Sequence, residues 1–191
     1  MIKIFVIDNG GQWTHREWRT LKYLDIETKI IPNTTPVKEI LNEKVNGLVL
    51  SGGSPRIGLE GNLGNCAELL DKAEIPIIGI CAGHQFIARH YGGKVEPSKI
   101  PEFGKVELII IKNDMLFCDV PEKTIIWGSH NDEVTKIPNH FIHLAKSENC
   151  EFQIIKHNDK PLYGLQFHPE VEHTEYGIQF FKNFIKLCES N

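Results

Sequence analysis

Apolar runs and polar breaks alternate regularly through the first half of the chain. Residues 2–7 (IKIFVI) form a short, β-branched run that stops at Asp8-Asn9-Gly10-Gly11, a cluster of turn formers. A helical stretch follows at 14–23. Next come a strand at 26–31 and a helix entered at Pro36, where the fixed φ of proline suits a first turn. Residues 48–50 predict a strand running into Ser51-Gly52-Gly53, residues 63–72 a helix, 77–80 a buried strand and 83–91 another helix. Short apolar strands that alternate with helices predict βαβ units and a parallel sheet covered on both faces.

Beyond residue 94 the pattern changes to strands, at 106–111, 124–127, 141–145, 152–155 and 162–167. His157-Asn158-Asp159-Lys160-Pro161 supplies a hairpin turn between the last two. The chain closes on an amphipathic helix at about 175–188, where Ile178, Phe181, Ile185 and Cys188 recur at helical spacing beside Phe184. The expectation is one α/β domain over residues 1–191. It has an open, mostly parallel sheet with helices on both faces, a flavodoxin-like core and a β-rich extension in the second half.

Composition narrows the function classes. A net charge of -4 offers no basic excess to displace counterions, which argues against a nucleic-acid partner. No apolar run approaches the roughly 20 residues that span a bilayer, and the apolar start breaks at Asp8 without a cleavage signal. The five cysteines, Cys66, Cys81, Cys118, Cys150 and Cys188, form an odd set without C-x-x-C spacing. That argues against a disulfide framework or a cysteine-paired zinc site. The expectation is a cytoplasmic chain with no membrane partner and no metal or cofactor of its own.

One segment carries most of the chemistry. Gly79-Ile80-Cys81-Ala82-Gly83-His84-Gln85 follows a buried strand and opens a helix. Glycines two residues either side of one reactive side chain are what a nucleophile elbow requires, since a Cβ there would strike neighbouring backbone. The corner lifts the Cys81 sulfur out of the carboxyl edge of the sheet, where ligands bind, and sets it at a helix N-terminus that favours thiolate. A buried structural thiol is the ordinary fate of cysteine. It suits the other four, which lack this context.

A thiolate needs a histidine to protonate the leaving group, and a carboxylate to fix that histidine's tautomer. Of nine histidines, His168 stands just past a predicted strand and two residues before Glu170, with Pro169 stiffening the turn between them. His15, His84, His90, His140, His143 and His157 read as structural or exposed. A Cys81–His84 metal pair would lack two further ligands at suitable local spacing. The developing oxyanion needs pre-placed donors, and the backbone N–H groups of Ala82 and Gly53 are the candidates.

Taken together, LSGGSP, GICAGHQ, WGSHNDEV and GLQFHPEVEHT resemble the successive motifs of the class I (triad) glutamine amidotransferases, in family order and over nearly the whole chain. The resemblance implies that Cys81, His168 and Glu170 form the triad and that Gln85 helps hold L-glutamine. It also implies that backbone around Asn131 and Asp132 holds the amino-acid end of the substrate. Asn131 stands where that family often has glycine, and Ala82 where it often has a bulkier residue.

Within the family, the opening Asp8–Thr14, Trp127-Gly128-Ser129-His130-Asn131-Asp132 and the His173-Thr174 that follows His-Pro-Glu-Val-Glu are similar to the branch serving GMP synthetases. That branch also needs an ATP-using synthetase. Ser51-Gly52-Gly53 is not followed by the Gly-Lys of a phosphate-binding loop. The resemblance therefore implies that the partner is a separate ATP-pyrophosphatase/synthetase subunit, with ATP and Mg bound there. Three alternatives stand beside this reading: a glutaminase serving another synthase such as anthranilate synthase, a stand-alone cysteine hydrolase, and a non-catalytic regulatory subunit.

Overall fold

A computed structural model describes residues 2–190. Its first half alternates strands and helices: β1 (Ile4–Asn9), α1 (Thr14–Tyr23), β2 (Ile30–Pro32), α2 (Val37–Asn42), β3 (Gly47–Gly53), α3 (Cys66–Lys72), β4 (Ile77–Ile80) and α4 (Ala82–His90). The second half is β5 (Lys94–Ile110), β6 (Lys123–Lys136), β7 (Phe141–Lys146), β8 (Ile154–His157), β9 (Leu162–Leu165) and the closing helix α5 (Gly177–Glu189). All nine strands join one sheet in the order β2-β1-β3-β4-β9-β8-β7-β5-β6.

The strands from β2 to β9 pair in parallel, in the doubly wound order of flavodoxin-like sheets. From β9 outward every pairing is antiparallel. The α/β expectation holds. The sheet, however, is mixed rather than mostly parallel, because the extension contributes as many pairings as the core. Hairpins such as β8–β9 join neighbours through short turns, and only antiparallel strands can be connected that way.

Strand alternation explains the two layers. Ile4 and Val6 face one apolar cluster with Ile78, Ile80, Leu21 of α1 and Phe180, Phe181 and Phe184 of α5. Phe5 and Ile7 face the other, with Leu48, Leu50, Ile40 of α2, Leu69 of α3 and Phe86 and Ile87 of α4. Both faces of the parallel strands are thus buried, which is why those strands read as continuous apolar runs.

Three local expectations need correction. β5 and β6 are far longer than the 106–111 and 124–127 segments, forming an antiparallel ribbon that starts at Lys94 and ends at Lys136. Pro97 and Pro101 break the apolar alternation there, and the register jumps between Pro97 and Glu102. The strand expected at 26–31 begins only at Ile30. On α5, Ile178 is 47% exposed, and the core stripe is instead Phe180, Phe181, Phe184, Ile185 and Cys188.

Phe184 is fully buried between α5 and the sheet. Phe184→Ala is expected to cost about 3–5 kcal/mol of stability, read as a lowered midpoint in urea unfolding with an unchanged slope. A cost under about 1 kcal/mol would show that α5 is not anchored by this layer.

Candidate active site

The carboxyl ends of β1, β3, β4 and β9 converge on a cavity of about 250 Å³, whose walls include Gly11, Trp13, Glu17, Gly52, Cys81 and His168. The corner between β4 and α4 is built from very tight contacts. A Cβ on Gly79 would lie 2.7 Å from the Gly83 carbonyl, and one on Gly83 would strike the Leu50 carbonyl. Cys81 between them has φ 51° and ψ -105°, outside the regions that side chains favour. Its own N–H bonds to Leu165 O at 2.8 Å, fastening the corner to β9. Gln85 N–H is the first in α4 to return to Cys81 O. The preceding N–H groups of Ala82, Gly83 and His84 therefore lack an intrahelical acceptor and point their dipole ends toward the sulfur's side of the turn.

The Cys81 sulfur lies 3.7 Å from Ser129 O and 3.8 Å from Gln166 Nε2. The His168 ring lines the same cavity, close enough for the sulfur to bear on its protonation. His168 Nδ1 meets Glu170 Oε1 at 2.7 Å, the carboxylate–imidazole contact that the two-residue spacing predicts. The loop is held from both sides. His168 N–H bonds to Trp127 O, Thr174 Oγ1 donates to His168 O at 2.7 Å, and Trp127 N–H donates to Thr174 Oγ1. Trp13 packs edge-on against the His168 ring, with centroids 4.4 Å apart. His173 lies half-exposed over Trp127 and away from these contacts.

Burial alone would lower the His168 pKa. The Glu170 carboxylate, at 2.7 Å, and the neighbouring Cys81 sulfur outweigh it and raise the pKa from 6.5 to about 10. The ring is therefore an imidazolium at neutral pH, able to give a proton to a leaving group. The buried thiols are held protonated instead. Burial pushes Cys66 and Cys188 up to about 12 and raises Cys150 as well.

The glycine end of β3 also lines the cavity, through both Gly52 and Gly53. Gly52 makes the nearer approach: a Cβ there would lie 3.3 Å from His168 Cε1 and 3.7 Å from Cys81 Cβ. Gly53 pairs with Asn9 and bridges to Gly10.

The residues assigned to the substrate by resemblance are not brought to this cavity. Gln85 is a buried strut, donating to Asp132 O at 2.6 Å and to Gln166 Oε1 at 3.1 Å. Asp132 carries an ion pair with Arg56 and accepts from Gly58 N–H, so its carboxylate is already satisfied. Asn131 is exposed. The β6 residue at the cavity is Ser129, through its backbone. Sequence reasoning missed Ser129, Gln166 and Glu17. Only Glu17 left a trace, as a charge on the face of α1 that also carries Thr14 and Leu21.

Cys81 and His84 do not form a metal pair: His84 is fully buried beside the Gly164 backbone, and burial drops its pKa to about 3. Among the described residues, Glu102, His130 and Cys150 lie close enough to share an ion. Glu102 is instead occupied by His130, Ser147 and Gln153, at 3.0, 2.6 and 2.6 Å.

The folded pKa of His168 lies above that of an unfolded histidine. Its contribution to stability is therefore complete below about pH 6.5 and lost as pH rises through about 10. Cys81→Ala removes one of the two groups that raise the His168 pKa. Nitrogen NMR of the ring is expected to show the His168 midpoint moving down in that variant. An unchanged midpoint would show that the sulfur's charge is not felt by the ring.

Known proteins point the same way. The family profile described as glutamine amidotransferase class-I matches residues 5–188. A glutamine-hydrolyzing GMP synthase subunit from Thermoplasma volcanium is 47% identical over 100% of this chain and 94% of its own length. The corresponding subunit from Thermococcus kodakarensis is 49% identical over 97% of this chain and 98% of its own. A crystal structure from Thermoplasma acidophilum, described as that of a GMP synthase subunit, superimposes with a TM-score of 0.93. It shares 46% identity and covers 100% of this chain and 95% of that one. On the profile match and on relatives this similar over their full length, the chain belongs to the class-I glutamine amidotransferase family.

Proposed function

We propose that this chain is the glutamine-hydrolysing subunit of a two-subunit GMP synthase, releasing ammonia from L-glutamine for a separate synthetase. The observation that carries the chemistry is a half-buried Cys81 on the same cavity wall as the buried His168–Glu170 pair, whose imidazole–carboxylate contact is 2.7 Å. The choice of partner rests on the relatives, each named as one subunit of a glutamine-hydrolyzing GMP synthase and matched over nearly its whole length.

The steps follow from the groups present. Cys81 thiolate attacks the side-chain amide carbon of glutamine. The negative charge that develops on the amide oxygen is met by the Ala82 N–H at the start of α4 and by the glycine end of β3, where Gly53 is the assigned donor. Losing one such donor typically costs about 2.7–4 kcal/mol of transition-state stabilisation. His168 imidazolium protonates the amide nitrogen, the C–N bond breaks, and ammonia leaves a γ-glutamyl thioester on Cys81. The ring, now neutral, takes a proton from water. The resulting hydroxide cleaves the thioester to glutamate and returns the thiolate–imidazolium pair. Glu170 fixes the tautomer throughout by holding Nδ1–H.

Ammonia then passes to the synthetase subunit, where ATP with Mg activates XMP for amination to GMP. This division of labour gives the chain itself no cofactor. Among the described residues no helix is long and apolar enough to cross a membrane.

Cys81→Ala is expected to abolish GMP synthesis from glutamine by the reconstituted pair, while synthesis from added ammonium salts persists at the wild-type rate. Loss of both activities would contradict the separation of the two reactions. Retention of glutamine-dependent synthesis would remove Cys81 from the mechanism.

A further inference from the structure

Those steps leave one buried carboxyl in the cavity unused. Glu17 is 1% exposed on the inner face of α1 and lines the same walls as Cys81, His168 and Glu170. The groups around it come from every neighbouring strand end. Asp8 lies at the end of β1, Gly52 N–H closes β3 and donates to the Glu17 carboxyl, and His168 and Glu170 follow β9. Cys81 lies in the same cavity after β4, and none of the wall residues is a lysine or arginine. Two carboxylate oxygens here are buried without a hydrogen-bond partner, Glu17 Oε2 and Glu170 Oε2.

Two carboxyl groups buried against one cavity resist ionising together, and the proton goes to the one with less support for its charge. Glu170 has that support from the His168 ring, at 2.7 Å. Glu17 feels the charge of the same ring without a hydrogen bond to it, and has otherwise only the Gly52 backbone. A protonated Glu17 completes the pattern: its carbonyl oxygen accepts from Gly52, and its hydroxyl is a donor for the unused lone pairs of Glu170.

We propose that Glu17 is a positioning residue for the His168–Glu170 pair, held uncharged so that its hydroxyl proton serves Glu170 Oε2 and Glu170 remains the one anion behind the imidazole. Burial, reinforced by the Glu170 charge, holds the Glu17 carboxyl well above the ordinary range, in keeping with this placement. Ionisation of Glu17 would add a second negative charge where the substrate oxygen must itself become negative. It would also bind the His168 proton more tightly against transfer. Glutamine turnover therefore falls as Glu17 loses its proton. The kinetic consequence rests on the glutaminase reading, whereas the location of the proton does not.

Glu17→Gln mimics the protonated side chain and cannot ionise. With the synthetase subunit present, wild-type kcat/KM for glutamine hydrolysis is expected to fall, approaching tenfold per pH unit above the Glu17 titration. The Gln variant should stay level until His168 deprotonates near pH 10. Superimposable profiles, or a loss by the same factor at every pH, would overturn the proposal. A second measurement needs no turnover: carbon NMR of wild-type protein enriched at the glutamate carboxyls, with Glu17 assigned by the signal lost in Glu17→Gln or Glu17→Asp. That carbon should still be protonated at about pH 6, above the ordinary glutamate value of about 4.3. An ionised Glu17 there refutes the proposal even if neither protein hydrolyses glutamine, a result that would count separately against the glutaminase reading.

Discussion

Everything in the site depends on one strained backbone corner. Cys81 holds φ 51° at the junction of β4 and α4, a conformation that costs a side-chain-bearing residue on the order of 1–3 kcal/mol. The surrounding sheet supplies the constraint. Gly79 and Gly83 let backbone approach backbone where no Cβ fits, and Leu165 O clamps the Cys81 N–H from the adjacent strand. The same strand, β9, leads three residues later to His168. The nucleophile candidate and its base are thus positioned by neighbouring strands with a fixed register, Ile80 opposite Leu165. This is how residues 87 positions apart in sequence are held together without a mobile loop between them.

The electrostatics follow from that geometry. A cavity with three acidic or potentially anionic side chains and one imidazole is stable only if the protons are shared out unequally. The imidazole takes one, because Glu170 meets it at 2.7 Å and the Cys81 sulfur lies on the same cavity wall. The helix start at α4 adds a positive dipole end next to the sulfur. The remaining carboxyl, Glu17, has neither aid.

The parallel core was legible because strands buried on both faces carry continuous apolar runs, as in residues 4–7 and 77–80. The corner was legible because its glycine spacing is a steric necessity, and the His168–Glu170 contact because it is local in sequence. The β5–β6 ribbon was not. Its residues alternate buried and exposed, and the register break near Pro97 leaves no period to follow. Ile178 misled for a related reason: a 3.6-residue period identifies a helix, but the phase of its buried face is set by packing partners. The resemblance implied Gln85 and backbone around Asn131 and Asp132 for the substrate; they lie outside the cavity lining, and Gln85 and Asp132 are held by long-range contacts. Glu17 was overlooked because a charged residue in a surface-like helix reads as solvated until the sheet is seen to cover it.

Cys81 alone among the five cysteines has the surroundings of an activated thiolate facing a cavity of glutamine's size. Labelling with a diazoketone analogue of glutamine, followed by peptide mapping by mass spectrometry, puts that assignment at risk. A single adduct is expected, on Cys81, with Cys66, Cys118, Cys150 and Cys188 unmodified and with excess glutamine protecting the site. An adduct on any other thiol in place of Cys81, or no adduct even with the synthetase subunit present, would contradict it.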